Sequence, residues 1–225
     1  MIDCAVVTEI HFFSRIFDPI KYESNTMFHW TEFIQQVIES SFIEWMAVLS
    51  SVVYVILAAR NNILCWAFAL ISSVLYIYIC YDYKLYLESG LQSFYFIMAI
   101  VGWVLWRKSN VDGAKIQRWS ISNHAINILI SGTLTLLLGF LFSKYTDQAS
   151  PYVDAFTTCF SLTATYLVTK RVLGNWIYWI IIDIISIYLY AGRELYLSSV
   201  LYLLFTILAI IGFITWQRKF NVQSR

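Results

Sequence analysis

Long runs with almost no charge follow one another through most of this chain, and a water-soluble core has no place for so many of them. They are Phe42–Ala59 (with Glu44 near its outer end), Ile63–Tyr81, Ser89–Trp106, Ala125–Ser143, the shorter Ala155–Thr169, Val172–Gly192 and Leu195–Gln217. A helix of about twenty residues rises about 30 Å, the thickness of a bilayer's hydrocarbon core. The expected fold is therefore all-α and integral to the membrane, with seven transmembrane helices. Composition agrees: 60% of the 225 residues are hydrophobic, 13% are charged and mean hydropathy is +0.66. A net charge of +1 gives no reason to expect a nucleic-acid partner. The start of the chain, with Asp3, Glu9 and His11 ahead of any apolar run, does not read as a signal peptide.

An internal repeat organises the runs. Arg60/Lys170, Leu85-Tyr86-Leu87/Leu195-Tyr196-Leu197, Ser89/Ser199, Gly102/Gly212 and Trp106/Trp216 each lie 110 positions apart, whereas Asn62/Asn175, Trp66/Trp179 and Ser73/Ser186 lie 113 apart. The second copy thus reads as gaining three residues before its middle helix and losing three after it. Runs 1–3 and 5–7 form two three-helix units. Run 4 restores the orientation that an odd number of crossings would invert, so the units are parallel and a site is expected between them. The expected divisions are 1–41, an N-terminal segment in which Thr31–Ser41 forms an interfacial amphipathic helix; 42–108, the first repeat; 109–150, a connector and linker helix; 151–219, the second repeat; and 220–225, a tail. The larger basic group (Arg60, Arg107, Lys108, Lys115, Arg118, Lys170, Arg171, Arg218, Lys219, Arg225) outweighs Arg15, Lys21, Lys84, Lys144 and Arg193 on the other side. That bias places the N-terminus outside and the C-terminus in the cytoplasm of a cell whose inner membrane the chain crosses.

Asp183 alone breaks the run from Val172 to Gly192, near its middle. A carboxylate at that depth costs about 2.5–3.5 kcal/mol on insertion scales, so it should face protein, water or ligand. Asn175, Trp179, Asp183, Ser186 and Tyr190 share one helical face, with isoleucines opposite. No lysine or arginine lies inside a run to pair with Asp183; the plainer reading is a structural carboxylate bonded to a neighbouring Tyr or Ser. Trp66 and Trp179 are either stacking faces or packing near the pseudo-axis. Asn62 and Asn175 either bind a ligand or cap their helices. Gln92, with Tyr95 one turn on and Tyr202 as its repeat counterpart, is a ligand contact or inter-helix glue. Trp103, Trp106, Trp176 and Trp216 lie near run ends, where interfacial anchoring is expected. Gly102 and Gly212 are expected to let helices approach closely. Cys4, Cys65, Cys80 and Cys159 lack metal or redox spacing, and His11, His29 and His124 are scattered outside the runs, so no metal site or cofactor is expected.

These residues resemble a known family. The 3+1+3 layout is similar to the SWEET-type transporter fold. N-W-I-Y-W-x3-D-x2-S-x3-Y (175–190), R-E-L-Y-L-S-S-V-L-Y (193–202) and L-x-S-G-L-Q-S-F-Y-F (87–96) resemble the PnuC family of vitamin transporters, over about Phe42–Lys219. The resemblance implies uptake of nicotinamide riboside by facilitated diffusion, trapping by a cytoplasmic kinase, and a homotrimer. SWEET proteins hinge on prolines within their bundles. Pro19 and Pro151 both lie in connections here, so that hinge is not carried over. Within this reading Asp183 balances a pyridinium or accepts from ribose hydroxyls, Trp179 and Trp66 stack on the ring, and Asn175, Asn62, Gln92, Tyr95, Tyr202 and Ser186 supply polar contacts. Thiamine, riboflavin or a deoxynucleoside is an alternative substrate, and a non-transporting sensor or scaffold is a further one. An enzyme is not expected, because one carboxylate among amides and aromatics makes no acid–base pair, nucleophile or metal set.

Overall fold

The computed structural model describes residues 34, 36–38, 40–83, 86–111, 115–145, 150–193 and 195–224. Of the helix expected over Thr31–Ser41, residues 31–33, 35 and 39 lie outside these, as do Cys4, His11 and His29, while 34 and 36–38 are helical. Among the described residues the apolar runs become seven long helices: α1 (Phe42–Ala59), α2 (Cys65–Asp82), α3 (Tyr86–Val111), α4 (Ile121–Tyr145), α5 (Pro151–Thr169), α6 (Asn175–Ala191) and α7 (Tyr196–Gln223). Local chemistry starts them. Ser41 and Glu44 form a reciprocal capping box on α1: the Ser41 amide donates to Glu44 Oε2 (2.7 Å) and the Glu44 amide to Ser41 Oγ (3.2 Å). Pro151, expected in a connection, instead occupies the first turn of α5, where its missing N–H costs nothing.

Among the described residues five helices are long and apolar enough to cross a membrane: α1, α2, α3 over Glu88–Ser109, α4 and α7. With 17 residues, α6 is apolar but rises only about 25 Å. α5 is more polar, and packing explains why. It touches α3, α4 and α6, so Thr157, Ser161 and Thr165 are buried against protein. α4 packs along α5, and most of its Ile and Leu side chains remain exposed on the protein surface, as lipid-facing residues would be.

The other six helices close on themselves. α1 packs on α2, α2 on α3, α3 on α5, α5 on α6, α6 on α7, and α7 back on α1. In this ring α2 stands opposite α6, and α3 opposite α7. The α3–α5 and α7–α1 contacts are the same contact with the halves exchanged, which makes the repeat a pseudo-two-fold.

The register of that repeat differs from the sequence expectation. α2 and α6 begin at Cys65 and Asn175, α3 and α7 at Tyr86 and Tyr196, both 110 apart. The turns before α2 and α6 hold left-handed residues at equivalent places, Asn61 (φ 57°) and Arg171 (φ 52°). At the other end, Glu44 receives the Tyr83 hydroxyl (3.4 Å) where Asp154 receives Arg193 Nη2 (3.0 Å). The offset of 110 therefore runs unbroken, without the three-residue gain and loss. Trp66 matches Trp176, not Trp179. Cys65 matches Asn175, Ala69 matches Trp179, Ser73 matches Asp183 and Tyr76 matches Ser186.

Candidate functional site

The buried stripe of α6 is Asn175, Trp176, Trp179, Ile182, Asp183, Ser186, Leu189 and Tyr190; that of α2 is Cys65, Trp66, Ala69, Ser72, Ser73, Tyr76, Ile79 and Cys80. Each recurs every three or four residues, so each helix turns one face into the ring. Asp183 lies midway along α6 and is wholly buried, at 0% exposure, as is Asn175. Trp179, Ser186, Trp66, Gln92, Tyr95 and Tyr202 are buried too, so eight of the nine residues singled out from the sequence lie inside the bundle, on α2, α3, α6 and α7.

Asn62 is the exception. It is exposed in the α1–α2 turn, where its Oδ1 accepts the Leu64 amide (2.9 Å) in a local turn ahead of the helix; the N-cap place is Leu64, with no side-chain cap bond, so Asn62 neither caps α2 nor lies with the buried residues. Asn175 behaves differently. Its Nδ2 donates to Val172 O (2.6 Å), it caps nothing, and its buried Oδ1 has no hydrogen-bond partner among the described residues. The Ser73 and Ser186 hydroxyls and the Trp66 and Trp176 indole N–H groups are also buried without a hydrogen-bond partner there. Orphaned polar atoms gathered on inward helix faces are what a polar ligand would satisfy. Tyr202 stacks on Tyr190 with centroids 5.4 Å apart and planes at 3°.

One end of the ring is floored by tryptophan. Trp66 meets Trp106 edge-on (5.4 Å, 88°), Trp176 meets Trp216 likewise (5.5 Å, 89°), and Trp106 meets Trp216 across the ring (6.1 Å). Trp106 Nε1 donates to Thr169 O (3.2 Å) and Val168 O (3.3 Å) of α5, and Trp216 Nε1 to Ala58 O (3.0 Å) of α1. Trp106, Trp176 and Trp216 are thus buried inter-helix pins, not the interfacial anchors expected; Trp103, half-buried, is not part of the floor. Over Trp106 lies the Arg171 guanidinium, 4.2 Å from the ring centroid, with Nε donating to Asn61 Oδ1 (2.9 Å) and Nη1 to Ser109 Oγ. Burial lowers the Arg171 pKa to about 10, which leaves it a cation at neutral pH. From sequence Arg171 is one more basic loop residue; its burial comes from the left-handed turn that points it inward. The connector closes over the same end: the Gln117 amide donates to Arg171 O (2.9 Å) and the Leu173 amide to Gln117 O (2.8 Å). His124, in the first turn of α4, and Asn127 both bond Tyr178 Oη of α6 (3.2 and 3.3 Å), which ties the outer helix to the ring. Among the described residues no three His, Cys, Asp or Glu side chains gather as a metal site would require.

Comparison with known proteins places this arrangement. The profile of the nicotinamide mononucleotide transporter family matches residues 41–218. The nicotinamide riboside transporter PnuC of Escherichia coli K12 is 26% identical over 203 residues, covering 78% of this chain and 85% of the relative. The transporter of the same name from Neisseria mucosa is 23% identical over 197 residues, covering 82% and 75%. The crystal structure of a vitamin B3 transporter PnuC shares the fold with a TM-score of 0.64 and 20% identity, over 97% of this chain and 90% of that one.

Proposed function

This chain belongs to the nicotinamide mononucleotide transporter family and is a multi-pass membrane protein; from that premise we propose that its substrate is nicotinamide riboside, the compound its curated relatives are named for. The observation that carries the choice between riboside and mononucleotide is Asp183. It is a wholly buried carboxylate at the centre of α6, in a chain with no Lys or Arg inside its apolar runs. A pyridinium gains from that carboxylate. A phosphate monoester, carrying about two negative charges, would be repelled by it and would need a cation to pair with. Arg171, the nearest candidate by chemistry, is held on Trp106 beyond the floor.

In this reading Trp179 and Trp66 offer aromatic faces to the ring, while Asn175, Gln92, Tyr95, Tyr202 and Ser186 satisfy the carboxamide and ribose. All seven helices span the membrane in a SWEET-like 3+1+3 layout, in the inner membrane, with the N-terminus outside. The domain divisions at 42–108, 109–150 and 151–219 stay part of the proposal, with α3 continuing to Val111 and α7 to Gln223, past the boundaries at 108 and 219. Transport is by alternating access and facilitated diffusion, with a cytoplasmic kinase trapping the product; a homotrimer remains part of the proposal on resemblance alone. The family's namesake activity is transport, so no enzymatic step is assigned.

The test is calorimetric titration of the purified protein with nicotinamide riboside and with the mononucleotide, beside Asp183→Asn and Trp179→Ala. The riboside should bind and the mononucleotide should not, and either substitution should weaken the riboside about tenfold or more. Equal affinity for the mononucleotide, or an Asp183→Asn protein that binds like the wild type, would overturn the assignment.

A further inference from the structure

Building on that reading, we infer that Ser73 is a specificity-determining residue: its hydroxyl hydrogen-bonds the neutral, carboxamide end of the substrate and so sets which way round the substrate lies. Ser73 holds on α2 the place that Asp183 holds on α6. The two residues are 110 positions apart in a repeat whose offset is constant through the turns, the helix starts and the tryptophan floor. Each lies eight residues into its helix, and α2 and α6 stand opposite one another in the ring. The pseudo-two-fold thus sets them at one depth on facing walls, both at 0% exposure.

The Ser73 hydroxyl is conspicuous by what it does not do. Many hydroxyls within these helices return to a carbonyl four residues back: Ser50 to Met46, Ser93 to Ser89, Thr135 to Ser131, Thr165 to Ser161 and Thr206 to Tyr202. Ser72, one position earlier and 100° round the helix, donates across to Ala47 O of α1 (3.1 Å). Ser73 Oγ takes neither course and has no hydrogen-bond partner among the described residues. A buried hydroxyl left so costs stability unless something else completes it.

Chemistry assigns the orientation. A carboxylate only accepts, and it prefers a cation or hydroxyl donors, so the pyridinium and ribose end belongs against α6. A serine hydroxyl both donates and accepts without charge, as a carboxamide does. The two halves are alike in backbone and unlike in lining (Ser73 against Asp183, Ala69 against Trp179), which suits a substrate with one charged and one neutral end.

Titration with two ligands separates the possibilities: nicotinamide riboside, and N-ribosylpyridinium, which lacks only the carboxamide. Ser73→Ala should weaken the riboside about five- to tenfold and leave the affinity for N-ribosylpyridinium unchanged. Ser73→Thr, which retains the hydroxyl, should keep the wild-type preference for the carboxamide. Ser72→Ala should lower the melting temperature without altering the ratio between ligands. Wild-type binding of the riboside with no loss in Ser73→Ala, or with an equal loss for both ligands, would overturn the assignment of Ser73 alone. A wild type that binds neither ligand would overturn the substrate itself, and this inference with it.

Discussion

Gly102 is glycine because Trp66 occupies the space its side chain would need. A Cβ there would sit 2.4 Å from the Trp66 indole, and one at Gly212 would sit 2.7 Å from Trp176, the same contact in the second half. Each indole is also held edge-on by a second tryptophan, so it cannot swing aside freely. Gly102→Ala is therefore expected to destabilise the protein by about 1–3 kcal/mol, read as a lower melting temperature in detergent. Gly90→Ala, where nothing lies within 4 Å, should be neutral or stabilising. The asparagines give a second contrast: Asn175→Ala should weaken riboside binding severalfold, and Asn62→Ala, in its exposed turn, should leave affinity unchanged. Equal effects of the two in a titration would refute the distinction drawn between them. At this scale Asp183 was legible in the sequence, because a lone carboxylate in an apolar run is costly enough to demand a reason. Asn62 was not. The shared spacing of Asn62–Trp66 and Asn175–Trp179 imitates a repeat, and residue identity there masks the register that backbone turns enforce.

The elements that meet at the tryptophan floor are the ends of α1, α3, α5 and α7 and the turns into α2 and α6. Arg171 draws three of these together. Its left-handed backbone costs about 1–2 kcal/mol in a residue other than glycine, and the bonds to Asn61 and Ser109 with the contact on Trp106 offset that cost. Any motion opening this end must part Arg171 from Asn61 and Trp106 from Trp216. Cys65, fully buried at the start of α2, lies next to that seam and reports on it. In a protein whose other cysteines (Cys4, Cys80 and Cys159) are changed to serine, Arg171→Ala should raise the rate of maleimide labelling at Cys65 about tenfold. An unchanged rate would mean that the tryptophans hold the end shut without the arginine. The helices themselves were readable from the apolar runs, and α6 is shorter than its run because the turn before it, at 172–174, is apolar as well. The floor was not readable. A tryptophan near the end of a run looks the same whether it faces headgroups or a second tryptophan, and only the ring closure decides.

For the whole molecule, the decisive property is a symmetric frame around an asymmetric interior. Six helices close a ring in which α3–α5 and α7–α1 are equivalent seams, so the two halves can rock against each other about one axis. Trp106 and Trp216 each donate across one of those seams, which makes the floor a set of breakable hydrogen bonds between halves. α4 rides outside on α5, tied to α6 through Tyr178, and in the proposed 3+1+3 layout it is the crossing that would keep the halves parallel. A frame of this kind suits the proposed alternating access; it does not by itself provide a driving force. Energy for accumulation would have to enter through an ion bound with the substrate, and Asp183 is the intramembrane group able to carry a proton. A fixed pyridinium charge uses the same carboxylate, and the two roles exclude each other: a protonated Asp183 no longer balances the cation. Sealed vesicles holding the protein but no kinase should therefore equilibrate labelled nicotinamide riboside and go no further, with or without an imposed pH gradient. Kinase and ATP enclosed in the vesicles should turn equilibration into accumulation, because the phosphorylated product carries a charge that the Asp183 site repels. Accumulation driven by a pH gradient alone would instead assign the proton to Asp183 and remove facilitated diffusion as the mechanism.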